Sequence, residues 1–169
     1  MTALTLDLVK SFLGYEKDQI DHDDTLTLAL EAGVDWVERY TGHILRPRTF
    51  HQPLRRSAGH AALDNWPVTG EPTLSCSDGD VEQIIPLRLY SVCRPATVRA
   101  GAGWPSFDSN NPATIVYTAG YTTPDEVPAG LLHGVLLYAG MFEQLRSNDA
   151  SASLKPVEAV CWSYRLLTV

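Results

Sequence analysis

The side chains able to do chemistry are scattered along this chain. Five histidines, His22, His43, His51, His60 and His133, lack the spacing by which one helix face presents two imidazoles to zinc. His22-Asp23-Asp24 would suit a metal or a general base. It stands, however, where a helix begins, so Asp23 or Asp24 is expected to cap that helix instead. Ser77-Asp78-Gly79-Asp80 has the oxygen ligands that open a calcium loop but not the later glutamate, and reads as a hairpin turn. Gly101-Ala102-Gly103 has the look of a phosphate-cradling turn, but Trp104-Pro105 follows where the helix N-terminus should be. Neither a GxSxG elbow nor a P-loop occurs. No catalytic, metal or cofactor site is expected, and the chain does not read as an enzyme.

Cys76, Cys93 and Cys161 are odd in number, far apart and without CxxC spacing. Reduced thiols and intracellular assembly are expected, rather than a disulfide framework or a zinc site. Trp36, Trp66, Trp104 and Trp162 lack nearby positive charge and read as core or interface residues, not base-stacking ones. The net charge of −7 disfavours a protein that works by neutralising phosphates. That charge is segregated: residues 1–42 hold nine acids and three bases, residues 43–60 four arginines and no acid.

Elements must hold these residues. A chain of 169 residues predicts one domain, burying about 70% of the unfolded surface. The central stretch is Ala113–Arg146. Thr114-Ile115-Val116-Tyr117-Thr118 is β-branched and aromatic, as strands are. Gly120 and Thr122-Thr123-Pro124-Asp125 then supply a turn, and Pro128 suits the first turn of a helix. Asp125 and Glu126 stand where its dipole favours them. After Pro128 no formal charge appears before Glu143, and the helix is apolar nearly all round. It must be covered on several sides, by its own domain or by neighbouring subunits. The span is too short for a membrane crossing, and Pro128, Gly130, Gly134, Gly140 and His133 argue against one.

Upstream, Leu4–Leu13 predicts a short helix ended by Gly14. With Asp7 inside its apolar run and no basic leader, no signal peptide or transit sequence is expected. Thr25–Thr41 predicts a second helix with Leu26, Leu30, Gly33, Val34, Val37 and Tyr40 on its apolar side and Asp35, Glu38 and Arg39 in water. Gly42 stops it. From Ile44 to Thr118 the period becomes that of strands. Pro47 and Pro53 demote the first to an edge. Short strands are expected within Ala61–Val68, at Thr73–Ser77, Val81–Leu87, Leu89–Val92, Ala96–Arg99 and Thr114–Thr118, with Gly101–Pro112 a surface loop. Ser147–Ser153 reads as a polar linker, and residues 154–166 as a last helix. The expected class is α+β: a bundle of N- and C-terminal helices with a small antiparallel β module inserted.

Taken together, the Asp23-Asp24 start of helix two, Val37–Leu45 (VERYTGHIL), Thr114–Tyr121 (TIVYTAGY), Val127–Leu131 (VPAGL) and Val157–Leu167 (VEAVCWSYRLL) carry a resemblance. The chain resembles the head–tail connector (adaptor) proteins of tailed phages and related gene transfer agents. The resemblance implies a single connector domain over 1–169 and a structural virion protein, assembled in the host cytoplasm and residing in the neck between capsid and tail. It implies a homo-oligomeric ring of about twelve subunits beneath the portal protein. Such a ring extends the channel, lets double-stranded DNA pass without sequence-specific binding, and docks a stopper or tail-completion protein. No cofactor and no membrane enter.

Three interfaces follow as expectations. The apolar C-terminus, Trp162, Tyr164, Arg165, Leu166, Leu167 and Val169, is expected to meet the portal, since aromatic anchors dominate interfaces. Neighbouring subunits are expected to pair acids Glu31, Asp35 and Glu38 with Arg46, Arg48, Arg55 and Arg56, because a head-to-tail ring needs two complementary faces. The loops carrying Ser77, Asp78, Gly79, Asp80, Trp104 and Phe107 are expected to face the next neck protein. The competing readings are a soluble monomeric assembly factor or binding module, and a small enzyme with a concealed site; the first would be a stable monomer, the second would show a deep polar pocket.

Overall fold

Four helices and seven antiparallel strands make up the computed structural model, which describes residues 4–57, 59–78, 81–91, 95–101, 103–104, 113–146 and 153–166. The chain divides into two compact units: the described parts of Met1–Leu45 and Thr123–Arg165, and those of Arg46–Thr122 and Leu166–Val169.

The helical unit contains α1 (Leu6–Leu13), α2 (Asp23–Thr41), α3 (Ala129–Arg146) and α4 (Lys155–Cys161), the last running into a 3-10 turn at Trp162–Tyr164. Thr5 caps α1, its Oγ1 accepting from Leu8 N at 3.3 Å, so the helix begins two residues later than periodicity alone suggests. Gly14 (φ 80°) and Gly42 (φ 75°) end α1 and α2 in the left-handed region, as expected. α2 packs on α3, α3 on α4, and α1 on both α2 and α3. Leu26, Leu30, Gly33, Val34 and Val37 of α2 are buried, matching the predicted stripe. Gly33 sits there because the backbones approach closely: a Cβ at this position would lie 3.0 Å from the Val135 carbonyl oxygen.

Three local expectations fail in this unit. The residue preceding α2 is His22, which makes no side-chain cap bond; Asp23 is already helical, and its Oδ1 lies 2.5 Å from Lys10 Nζ. A buried ammonium competes for the carboxylate and wins over the cap. Glu38 is 4% exposed rather than in water, and its Oε1 accepts from Leu45 N at 2.7 Å, holding the chain as it leaves α2. Pro124–Glu126 forms its own 3-10 turn, with Thr123 N donating to Glu126 Oε2 at 3.3 Å, so Glu126 serves this turn rather than α3.

The β unit is one sheet in the order β1-β7-β4-β5-β6-β3-β2, with β1 Arg48–Pro53, β2 Arg56–Ser57, β3 His60–Ala62, β4 Thr73–Asp78, β5 Val81–Ser91, β6 Thr97–Ala100 and β7 Thr114–Ala119. β1 is an edge strand, as its prolines require. Val81–Ser91, expected as two strands, is a single strand that changes partner: Val81–Pro86 pairs with β4, Leu87–Ser91 with β6. Pro86, lacking an N–H, falls at the changeover. The sheet curls. Gln52 of the β1 edge donates through Nε2 to Ala62 O (2.9 Å) and accepts at Oε1 from Asp64 N (3.0 Å), joining β1 to the chain leaving β3. Leu63, Leu74, Val98, Ile115 and Tyr117 fill the interior.

Candidate interaction surface

The titratable groups in close contact serve the fold. Among the described residues, no group of three or more His, Cys, Asp or Glu side chains is placed to hold a metal ion. At the α1 end, Tyr15 Oη donates to Glu143 Oε1 (2.8 Å), and Arg146 donates through Nε to Oε2 (2.9 Å) and through Nη2 to Oε1. The Arg146 bonds hold the Glu143 carboxyl below the usual carboxylate range, and the bond to that carboxylate raises the Tyr15 hydroxyl. Beside this clasp an open groove of about 390 Å³ runs between Phe12, Leu137, Met141 and Pro156. Burial pushes the Cys161 thiol up to about 11, which makes it an inert core group.

The C-terminal residues separate into two kinds. Trp162 is 63% exposed, with Arg165 Cζ 5.8 Å from its ring centroid and 5.4 Å from that of Tyr40. Tyr164 instead packs on its own unit, edge-on to His43 at 6.1 Å and against Gly130, where a Cβ would lie 2.7 Å from the ring. Leu166 is half-buried; Leu167 and Val169 lie outside the described residues.

Of the charged residues, Glu31 is exposed, whereas Asp35 is bound within its own helix by Arg39 Nη2 at 2.7 Å. Glu38 is internal, as described above. Arg46, Arg48 and Arg55 are exposed, Arg48 Cζ lying 5.1 Å over the Phe50 ring. Arg56 is in β2, and its side chain lies outside the described residues. The β4–β5 ladder ends at the pair Asp78↔Val81; Gly79 and Asp80 lie outside the described residues, as do the side chains of Ser77 and Asp78 and the whole of Phe107. Trp104 Nε1 donates to Gly59 O at 2.9 Å, tying this residue to the chain just before β3.

With this geometry established, known structures share the fold. The chain is similar to a component of the virion of a native gene transfer agent particle, with a TM-score of 0.81 at 25% identity over 99% of this chain and 91% of that one. It also shares its fold with a chain of the neck of an empty gene transfer agent particle computed with C6 symmetry (TM-score 0.80, 24% identity, 99% and 91% covered). A third likeness is to the neck of a native particle computed with C12 symmetry (TM-score 0.69, 24% identity, 100% and 94% covered). No family model matches the chain, and no curated protein matches it in sequence.

Two further surface features stand out in the structure. One is the loop joining α1 to α2, where Ile20 is 73% exposed among Glu16, Asp18 and Asp21. The other lies on the sheet, where Arg88 and Arg99 are direct cross-strand partners and Tyr90 is 67% exposed. Of the first, the acidic connection Asp18–Asp24 was legible in the sequence, but the exposure of Ile20 was not. The second needs the β5–β6 register, which no local pattern supplies.

Proposed function

We propose that this chain is a structural protein of the neck of a gene transfer agent or tailed-phage particle, acting as a head–tail adaptor. The observation that carries this reading is the likeness across nearly the whole chain, at a TM-score of 0.81 and 25% identity, to a component of a gene transfer agent virion. Twelve-fold and six-fold symmetry in the related necks favours a closed ring, here of about twelve subunits beneath a portal protein. In this reading 1–169 acts as one connector domain whose helices form a bundle. The ring extends a channel for double-stranded DNA and docks a stopper or tail-completion protein.

The roles of the surfaces belong to this proposal. Exposed Trp162 and Arg165, with the residues that follow, form the portal contact, while Tyr164 anchors that segment to its own helices. Glu31 on one subunit and Arg46, Arg48 and Arg55 on the next set ring register; exposed pairs are worth about 0–1 kcal/mol each and so govern placement more than strength. Trp104 and the hairpin loops present the face for the next neck protein. Co-expression with the portal of the same particle, followed by mass measurement and imaging, tests the reading. The expected result is a ring bound to portal, impaired by Arg46→Glu with Arg48→Glu. A stable monomer that never joins portal would overturn it in favour of a soluble assembly factor.

A further inference from the structure

Arg88 and Arg99 face each other across β5 and β6, in register. Like charges directly opposite on a sheet repel, and among the described residues no acid lines the groove of about 410 Å³ that they border, whose other lining residues are Leu89, Tyr90, Ala100, Gly101 and Gly103. Arg99 Cζ lies 6.0 Å from the Tyr90 ring, and that ring stacks on His60 at 6.2 Å with 21° between the planes. The patch therefore combines an exposed aromatic ring, Tyr90, with two guanidinium groups on the outer face of the sheet. It fits an occupant that brings carboxylates around one apolar side chain.

The α1–α2 loop has that composition. Ile20 projects into solvent between Asp18 and Asp21, with Glu16 and Asp24 exposed on either side. The loop is also held in shape. Lys10, only 2% exposed, donates through Nζ to Lys17 O at 3.1 Å and pairs with Asp23, while Gln19 N bonds Glu16 O and Asp23 N bonds Ile20 O. A buried lysine spent on bracing a surface loop lowers the ordering cost when that loop binds.

We propose that the acidic Glu16–Asp21 loop of one copy docks on the Arg88–Tyr90–Arg99 face of a second copy, Ile20 against the Tyr90 ring and the flanking carboxylates on the two arginines. The two surfaces differ, so the contact is heterologous and propagates from copy to copy, as a ring requires. Its biological meaning rests on the ring proposed above, but the contact itself does not. Double-stranded DNA is the rival anion. It is disfavoured because the groove offers two guanidinium groups beside one aromatic ring rather than an extended row of cations, on a chain of net charge −7.

The test uses the full chain with a photo-crosslinking residue at position 20, followed by peptide mapping, alongside self-association of surface variants at low salt. The expected cross-link joins position 20 to the β5–β6 segment of another copy. Arg88→Glu with Arg99→Glu is expected to weaken self-association about ten-fold or more, as is Asp18→Lys with Asp21→Lys, and combining all four should restore most of it. Cross-links elsewhere, no cross-link at any concentration, or no restoration would overturn the proposal. So would a short DNA duplex whose binding, but not self-association, is lost with the arginines. If the cross-link forms but no portal-bound ring is ever found, the neck reading fails and this contact stands. If portal-bound rings form normally with both arginines reversed, this contact alone fails.

Discussion

Tyr117 donates its hydroxyl to Gln52 Oε1 at 3.0 Å, and the same hydroxyl accepts from Asn65 Nδ2 at 2.9 Å. Tyr117 is 2% exposed, and burial pushes its hydroxyl up. This pair closes the curl of the sheet, because Gln52 also binds the chain leaving β3. Tyr117→Phe removes a donor to Gln52 and an acceptor for Asn65 and is expected to cost about 1–2 kcal/mol; Gln52→Ala strands Ala62 O, Asp64 N and the Tyr117 hydroxyl and should cost about 2–3 kcal/mol. Urea unfolding of both variants checks the order.

Gly120 has φ 134°, and a Cβ there would lie 2.5 Å from Pro47 Cα. Both the backbone conformation and the space exclude a side chain, and the obstacle is main chain that has no rotamer to change. Gly120→Ala is expected to lose about 3 kcal/mol or more. Gly14→Ala is the control: φ is 80°, but nothing lies within 4 Å of its Cβ. It should lose only about 1 kcal/mol. Equal losses would refute the steric account.

Gly134 lies under Cys161, whose Sγ is 2.5 Å from where a Cβ would be. Overpacking a filled core typically costs about 1–3 kcal/mol, which is the loss expected for Gly134→Ala. Adding Cys161→Ala should recover much of it, a coupling that a double-mutant cycle measures directly. Purely additive losses would show that the two side chains do not compete for space.

The pH dependence has two limbs of opposite sign. Glu143 is held below its ordinary range, so its ion pair stabilises the fold above the unfolded carboxyl's pKa and is lost as pH falls through the depressed folded value. Cys161 titrates near 11, so its contribution is complete below the ordinary thiol value and is lost as pH rises through about 11. Glu143→Gln should flatten the acid limb and Cys161→Ala the alkaline one, read from thermal melts across pH. A variant that flattens the opposite limb would reverse the assignment.

Trp162→Ala should leave stability within about 0.5 kcal/mol, since the side chain is exposed, while weakening portal binding if the neck reading holds. Tyr164→Ala should destabilise the helical unit itself, because that ring covers Gly130 and His43. Melting and portal pull-down on the two variants separate anchoring from docking. Retained portal binding with Trp162→Ala would remove it from the interface.

The helices were legible in the residues because helix formation is local. The Leu26–Val37 stripe, the Gly14 and Gly42 stops and the Pro128 start need only neighbours a turn away, and the structure places each within a residue or two of expectation. The edge position of β1 was legible from its prolines. What tertiary structure alone decided is every pairing across long sequence distance. It turned Val81–Ser91 into one strand that serves two partners, and it put Arg88 opposite Arg99. It drew Asp23 away from its cap toward Lys10 and took Glu38 out of water to bind Leu45. A carboxylate's helical position sets its direction, but the polar partner it meets depends on which distant segment the fold brings alongside.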